Sequence, residues 1–256
     1  GNIDFHYAAA NSSGAGQALT FTTAARIDSS GRLLVGSTSS RTIANHAARI
    51  QLQGTDYQTS TLSIINNANA GNGAFLFFAS QRSGSAGGST VVQNGDSIGS
   101  MRFFAGDGTD INSYCAEIKA SIDGTPGSND VPGRITFATA SDGSASPDER
   151  MRIDSSGNVG IGTTSPATIL HVLANSGDML RLDRDNAGAV GNQIAFRHKD
   201  ASNALIETGS INCVSTANAG AGQLRFYTKT SGGSNTEKMR IDSSGNVNIP
   251  NDSGKF

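Results

Sequence analysis

Residues 150–166 read RMRIDSSGNVGIGTTSP, and most of the stretch is written twice more: ARIDSSGRLLVGSTSS covers 25–40 and KMRIDSSGNVNIPNDSG covers 238–254. The shared core, Arg-Ile-Asp-Ser-Ser-Gly, stands at Arg26–Gly31, Arg152–Gly157 and Arg240–Gly245. Before the Asp-Ser-Ser-Gly step, Met151 and Ile153 alternate with Arg152 and Asp154. After it, Val159 and Ile161 alternate with Asn158, Gly160 and Gly162. A period of two belongs to strands with one buried face. Asp and Ser side chains bond nearby backbone amides, and Gly adopts positive φ without steric cost. The motif therefore predicts a β-hairpin closed by Asp-Ser-Ser-Gly.

The copies lie 126 and 88 residues apart (152 − 26 and 240 − 152), too far for a short solenoid repeat. More than the turn recurs. A short run ending in an aromatic precedes each copy: ALTF (Ala18–Phe21), RITF (Arg134–Phe137) and LRFY (Leu224–Tyr227). A polar loop follows in the second and third copies and is nearly missing from the first. Glu149-Arg150-Met151-Arg152 and Glu237-Lys238-Met239-Arg240 then lead into Ile; their charges are expected to alternate outward and to pair across strands or chains. Downstream, ARIQLQG (Ala48–Gly54) matches TILHVLA (Thr168–Ala174) in placement, and AFLFFASQ (Ala74–Gln81) matches QIAFRHKD (Gln193–Asp200). An added unit, SIGSMRFFAGDG with YCAEIKASIDG behind it, has its analogue in IAFRHKD…ALIETGSINCV. TIANHAARIQL (Thr42–Leu52) is the best helical candidate, but strand is the stronger expectation there. The organisation read from these repeats is an opening β piece over 1–40, a first module over 41–166 and a second over 167–256.

Composition narrows the class. The 256 residues include 32 Gly, no Trp and only 16% charged residues. Val, Ile, Leu and Phe make up roughly a fifth, close to the range where a lone chain struggles to offset its ordering entropy. The regular alternation argues against disorder, so the expectation is a thin, repeated core completed by other subunits. A net charge of −2 without a basic run leaves nucleic-acid binding no electrostatic footprint. The apolar runs are too short to span a bilayer as helices. Cys115 and Cys213 form no disulfide framework and read as small apolar strand residues in a reducing cytosol.

No residue constellation announces chemistry. His6, His46, His171 and His198 stand in unrelated contexts, without metal-ligand spacing. GNVGIGTTSP lacks the last Gly of a dinucleotide fingerprint and the Lys-Ser/Thr of a P-loop. Asp183, Asp185 and Asn186 before Gly188, and Asp107 with Asp110, loosely suggest a calcium loop but lack its downstream glutamate. Solvated turns are the simpler reading. Tyr7, Tyr57, Tyr114 and Tyr227 could stack on glycans, although strand-face packing is the ordinary fate of such residues. No catalytic, cofactor or metal residue is assigned.

The segment PGRITFATASDGSASPDERMRIDSSGNVGIGTTSP resembles repeats in the tail fibres and tailspikes of tailed bacteriophages, of the kind that often precede a C-terminal intramolecular chaperone domain. The resemblance is strong over 133–166 and 222–247, moderate over 16–40 and architectural elsewhere. It implies an all-β, elongated homotrimeric fibre of short-strand hairpin modules, β-prism or β-sandwich-like with little helix. It also implies a virion component assembled in the host bacterial cytoplasm, whose partners are other tail or baseplate proteins and a bacterial surface glycan or protein receptor. A non-enzymatic role in structure and host adhesion is expected, with receptor contacts in the loops 80–97, 106–114 and 123–132. Two other readings are a tailspike depolymerase acting on capsule or lipopolysaccharide and a bacterial trimeric surface adhesin. The family's chaperone, with its self-cleaving serine, does not follow NIPNDSGKF, and no baseplate anchor is evident at the start. A fragment or processed product is therefore expected.

Overall fold

A computed structural model of the chain describes residues 1–8, 21–67, 71, 73–175, 177, 179–182, 192–199, 204–215, 222–229 and 233–250, without the side chains of Asn192, His198 and Ser215. Among these residues there are strands and turns and no helix. The chain divides into two compact units, 1–175 and 176–256.

The first unit holds two sheets. β1 (Ile3–Ala8), β2 (Phe21–Ile27), β3 (Leu33–Val35) and β4 (Ile50–Leu52) lie side by side in that order. The second sheet runs β10-β9-β8-β7-β6-β5, from β5 (Ser97–Ala105), β6 (Ser113–Ile122), β7 (Gly133–Thr139), β8 (Asp148–Ile153), β9 (Val159–Ile161) and β10 (Leu170–Val172). The second unit is one sheet, β11 (Asn192–Lys199), β12 (Leu205–Ser215), β13 (Gly222–Lys229), β14 (Asn235–Ile241) and β15 (Val247–Asn248). Hairpins make nearly every pairing antiparallel. The exceptions are β3 with β4 and β9 with β10, which are parallel.

The three Asp-Ser-Ser-Gly copies build one turn three times. Asp28, Asp154 and Asp242 each accept, on Oδ1, the amides two and four residues on, at 2.8–3.1 Å. The Gly amide closes back on the Asp carbonyl at 2.9–3.0 Å, with φ of 71° at Gly31 and 83° at both Gly157 and Gly245. This is a type I turn followed by a left-handed Gly, a connection whose twist suits a right-twisted hairpin.

One further device recurs five times. Phe5, Phe103, Phe137, Phe196 and Phe226 each stand at a register shift. The partner strand carries an extra residue there: Ala24, Cys115, Arg150, Thr208 and Lys238. Such bulges increase local twist and bend the strand. They also correct the reading of the first copy. The partner of that hairpin is β1, where Phe5 faces Ala25 as Phe137 faces Met151 and Phe226 faces Met239. Phe21 of ALTF begins β2, the strand that carries Arg26 itself; Ala18–Thr20 lie outside the described residues. The stretch between β1 and β2 lies outside the described residues.

The matched bulges also place β5–β6 and β11–β12 as equivalents, as the added unit and its analogue predicted. AFLFFASQ is not the counterpart of QIAFRHKD, because 193–199 lie in β11 while 74–81 pair in no ladder. In the helical candidate, Ile43 and His46 pair across a two-residue turn with Ala44 at φ 50° and Asn45 at φ 62°, and β4 follows.

Candidate functional site

Register decides which side chains share a face. In the six-stranded sheet, Ile135, Ile153, Val159 and Leu170 face one another across β7 to β10, with Ala120 and Gly99 continuing the row. The neighbouring row is Met101, Ile118, Phe137, Met151, Ile161 and Val172. The four-stranded sheet repeats the scheme with Ile3, Ile27, Leu33 and Ile50, then Phe5, Ala25, Val35 and Leu52. The second unit repeats it with Cys213, Leu224, Ile241 and Val247, then Ile194, Ile211, Phe226 and Met239. Each sheet therefore has one continuous apolar face.

That face is open. Met101 is 51% exposed, Ile135 45% and Leu170 60%. The polar face of the same sheet is better covered: the Glu117 side chain is 10% exposed, and Thr136 and Ser121 are buried. On that face the Arg102 side chain stays half exposed.

The polar face is held by ion pairs. Arg102 donates to Glu117 at 2.9 Å across β5 and β6, and its guanidinium stands 5.6 Å from the centre of the Tyr114 ring. Burial works to raise the Glu117 carboxyl, but hydrogen bonds from Arg102 and its neighbours outweigh burial and hold it below its ordinary value. The motif arginines are anchors as well. Arg152 donates to Glu149 and to the Thr164 carbonyl, and Arg26 donates to Asp4 and to the Thr38 carbonyl, each carbonyl twelve residues on. Arg240 donates to Glu237 at 2.6 Å. Arg152–Glu149 and Arg240–Glu237 thus pair within one strand, and Glu237 also meets Arg225 across β13 and β14 at 3.7 Å, as expected of these charges.

The three loops named from sequence separate to opposite ends of the six-stranded sheet. At one end, 80–97 meets 123–132: the Gly124 amide donates to Asn94, and Arg82 pairs with Asp96 at 2.6 Å. Asp123 ties this end together, accepting from Arg134 and from the Ser155 amide of the central turn. An apolar groove of about 380 Å³ opens beside it, lined by Ile98, Ile122, Val131, Ile135 and Ile153. At the other end, 106–114 meets 140–145 around a cleft of about 360 Å³ that includes Asp107, Tyr114 and Ser144. Asn112 there accepts the Ala44 amide at 2.8 Å and so fastens the turn at Ala44–Asn45.

The Asp107 carboxylate is occupied by its own loop. It accepts the Thr109 and Asp110 amides and the Ser113 hydroxyl, which hold its carboxyl below the ordinary value. No group of three metal-ligating side chains forms among the described residues; Asp183, Asp185, Asn186 and Gly188 lie outside them. His6 contacts Thr23, His46 the Ala44 carbonyl and His171 the Ala167 amide. Tyr114 stacks on Phe104 with centroids 4.9 Å apart, while Tyr7 and Tyr57 are exposed and Tyr227 is half-buried in β13. Cys115 is the bulge residue of β6 and Cys213 sits on an apolar face; both are free and exposed in the single chain. The sequence leads to a core completed by other subunits but not to which residues stay open, because alternation marks two faces without saying what covers either.

No family model and no curated protein matches the chain. Among solved structures, it is similar to the carboxy-terminal domain of the bacteriophage T5 L-shaped tail fibre, with TM-score 0.35 and 13% identity over 77% of this chain and 93% of that one. A second structure, of that domain with its intra-molecular chaperone domain, gives TM-score 0.35 and 14% identity over 77% of this chain and 64% of that one.

Proposed function

We propose that the chain is a segment of a bacteriophage tail fibre or spike that assembles as a homotrimer, is carried on the virion and attaches it to the bacterial surface. The observation that carries the reading is the uncovered apolar face repeated on all three sheets. Copies arranged about a common axis would cover such faces and finish a core that one chain cannot build alone. The resemblance of the ERMRIDSSGNVGIGTTSP segment to phage fibre repeats supports the virion assignment.

On this reading the protein transforms no substrate. Ion-paired hairpins make a stiff shaft, and the end loops 80–97, 106–114 and 123–132 meet the receptor. Three copies per fibre turn weak contacts into durable attachment through effective concentration. The test is sedimentation of fluorescently labelled protein with a panel of bacterial strains. Retention on some strains, lost when Asp130 and Val131 or Thr109 and Asp110 are replaced by Ala, is the expected result. Absence of retention on every strain would overturn the adhesive role.

A further inference from the structure

One apolar segment lies outside every sheet. Between Asp56 and Arg82 the sequence has no charged residue, and it contains the β-prone runs TLSII and AFLFFAS. From Ala74 to Ser80 no backbone group bonds another described residue, and none of these residues belongs to a strand. The segment is nevertheless anchored. Its downstream end is pinned by the Arg82–Asp96 pair and by the Arg82 amide on the Thr90 carbonyl. Phe78 lies directly over Gly99 of β5, where a Cβ would stand 2.6 Å from that of Phe78.

The segment has two sides. Phe78 faces the chain's own sheet. Phe75 and Phe77 stack on one another with centroids 5.6 Å apart, and they are 65% and 83% exposed. A row of unpaired amides and carbonyls beside exposed aromatics, with no Lys, Glu or Pro to guard it, is a template for pairing with another chain.

We infer that residues 74–80 form an inter-chain strand, with Phe75 and Phe77 seated on the apolar rows of the six-stranded sheet in a second copy of this chain. The inference rests on the oligomeric reading above and assigns its contact. A second copy is the fitting occupant for two reasons. The segment bears no charge that would select a charged partner. An apolar face of matching character, around Met101, Ile118 and Ile135, stands open in every copy.

The test combines two measurements on the full chain. Hydrogen exchange of the wild-type protein reads the amides of 75–80, and light scattering follows the dissociation of Phe77→Asp on dilution. Protection of 75–80 within tenfold of that in β6, with a Phe77→Asp assembly that dissociates at a concentration at least tenfold higher than wild type, is expected. Phe77 is 83% exposed and lies outside every strand, so circular dichroism of the variant should keep the wild-type strand signal. A wild type that is oligomeric, but whose 75–80 amides exchange as fast as the loop 106–112 and whose Phe77→Asp variant assembles normally, would overturn this inference alone. A wild type that is a single chain would overturn the oligomeric reading and this inference with it.

Discussion

Arg152 Nε stands 2.5 Å from Oε1 of Glu149, three residues earlier on the same strand. In a regular strand, residues three apart point to opposite faces. Here the extra residue Arg150 turns Glu149 onto the face of Arg152, so the bulge and the ion pair are one device. Arg240 and Glu237 repeat it around Lys238. In the first copy Thr23 replaces the glutamate, and Asp4, directly opposite on β1, supplies the carboxylate.

Removing this pair should cost less than its short distance suggests, because both groups keep some solvent. A double-mutant cycle with Glu149→Gln and Arg152→Met should give a coupling of about 1 kcal/mol. Urea denaturation of the four proteins measures it.

The turn aspartates should matter more than their exposed positions suggest. Asp154→Ala strips acceptors from the Ser156 and Asn158 amides and should cost about 1–2 kcal/mol, while Asp154→Asn keeps one acceptor oxygen and should cost about half as much. Thermal unfolding of the two variants reads the difference.

Two glycines of the same motif should respond differently to alanine. Gly157 has φ 83° with open space around it, so Gly157→Ala should cost about 1–2 kcal/mol, the left-handed penalty alone. Gly162 has φ 72°, and a Cβ there would stand 2.1 Å from the Leu173 carbonyl oxygen. Leu173, just past β10, is held there by its own amide on the Ile161 carbonyl, so Gly162→Ala should cost about 3 kcal/mol or more. Gly36 stands in the same relation to Gln53, at 2.0 Å, and Gly36→Ala should behave like Gly162→Ala.

Acid should loosen the 80–97 loop. The Arg82 guanidinium, with help from the Gln93 amide, holds the Asp96 carboxyl at about 2 instead of 3.8. A carboxyl lowered in the folded state contributes stability that is complete above its unfolded value and is lost as pH falls toward the folded one. The difference in melting temperature between wild type and Asp96→Asn should therefore be constant above about pH 4 and shrink toward pH 2.

Much of this fold was legible in the residues. Asp, Ser and Gly in fixed order specify the turn because only that chemistry satisfies its amides and its positive φ. The alternation of Met151, Ile153, Val159 and Ile161 marks the apolar face directly. The bulges were not legible, because one inserted residue resets the alternation without altering composition. That is why ALTF, rather than Ile3–Phe5 of β1, reads from sequence as the counterpart of RITF and LRFY. The loops were legible as loops, but their division between two ends of a sheet depends on strand direction, which emerges only when all the hairpins are counted. The candidate surface was hidden for another reason: exposure is a property of the assembled faces, and no local pattern encodes it.

The open face yields a prediction of its own. Ile135 is already 45% exposed in the single chain, so Ile135→Glu should change the stability of an isolated chain by under about 1 kcal/mol. If the face is an inter-chain contact, the same change buries a carboxylate in an apolar interface and should prevent assembly. Sedimentation velocity of the variant beside wild type distinguishes the two outcomes.

The central claim is tested most directly by the mass of the wild-type protein in solution, measured by light scattering across a hundredfold range of concentration. Three chains of 26.2 kDa give a particle of about 79 kDa that persists on dilution, and this is the predicted result. A folded particle of one chain, stable at every concentration, would contradict it.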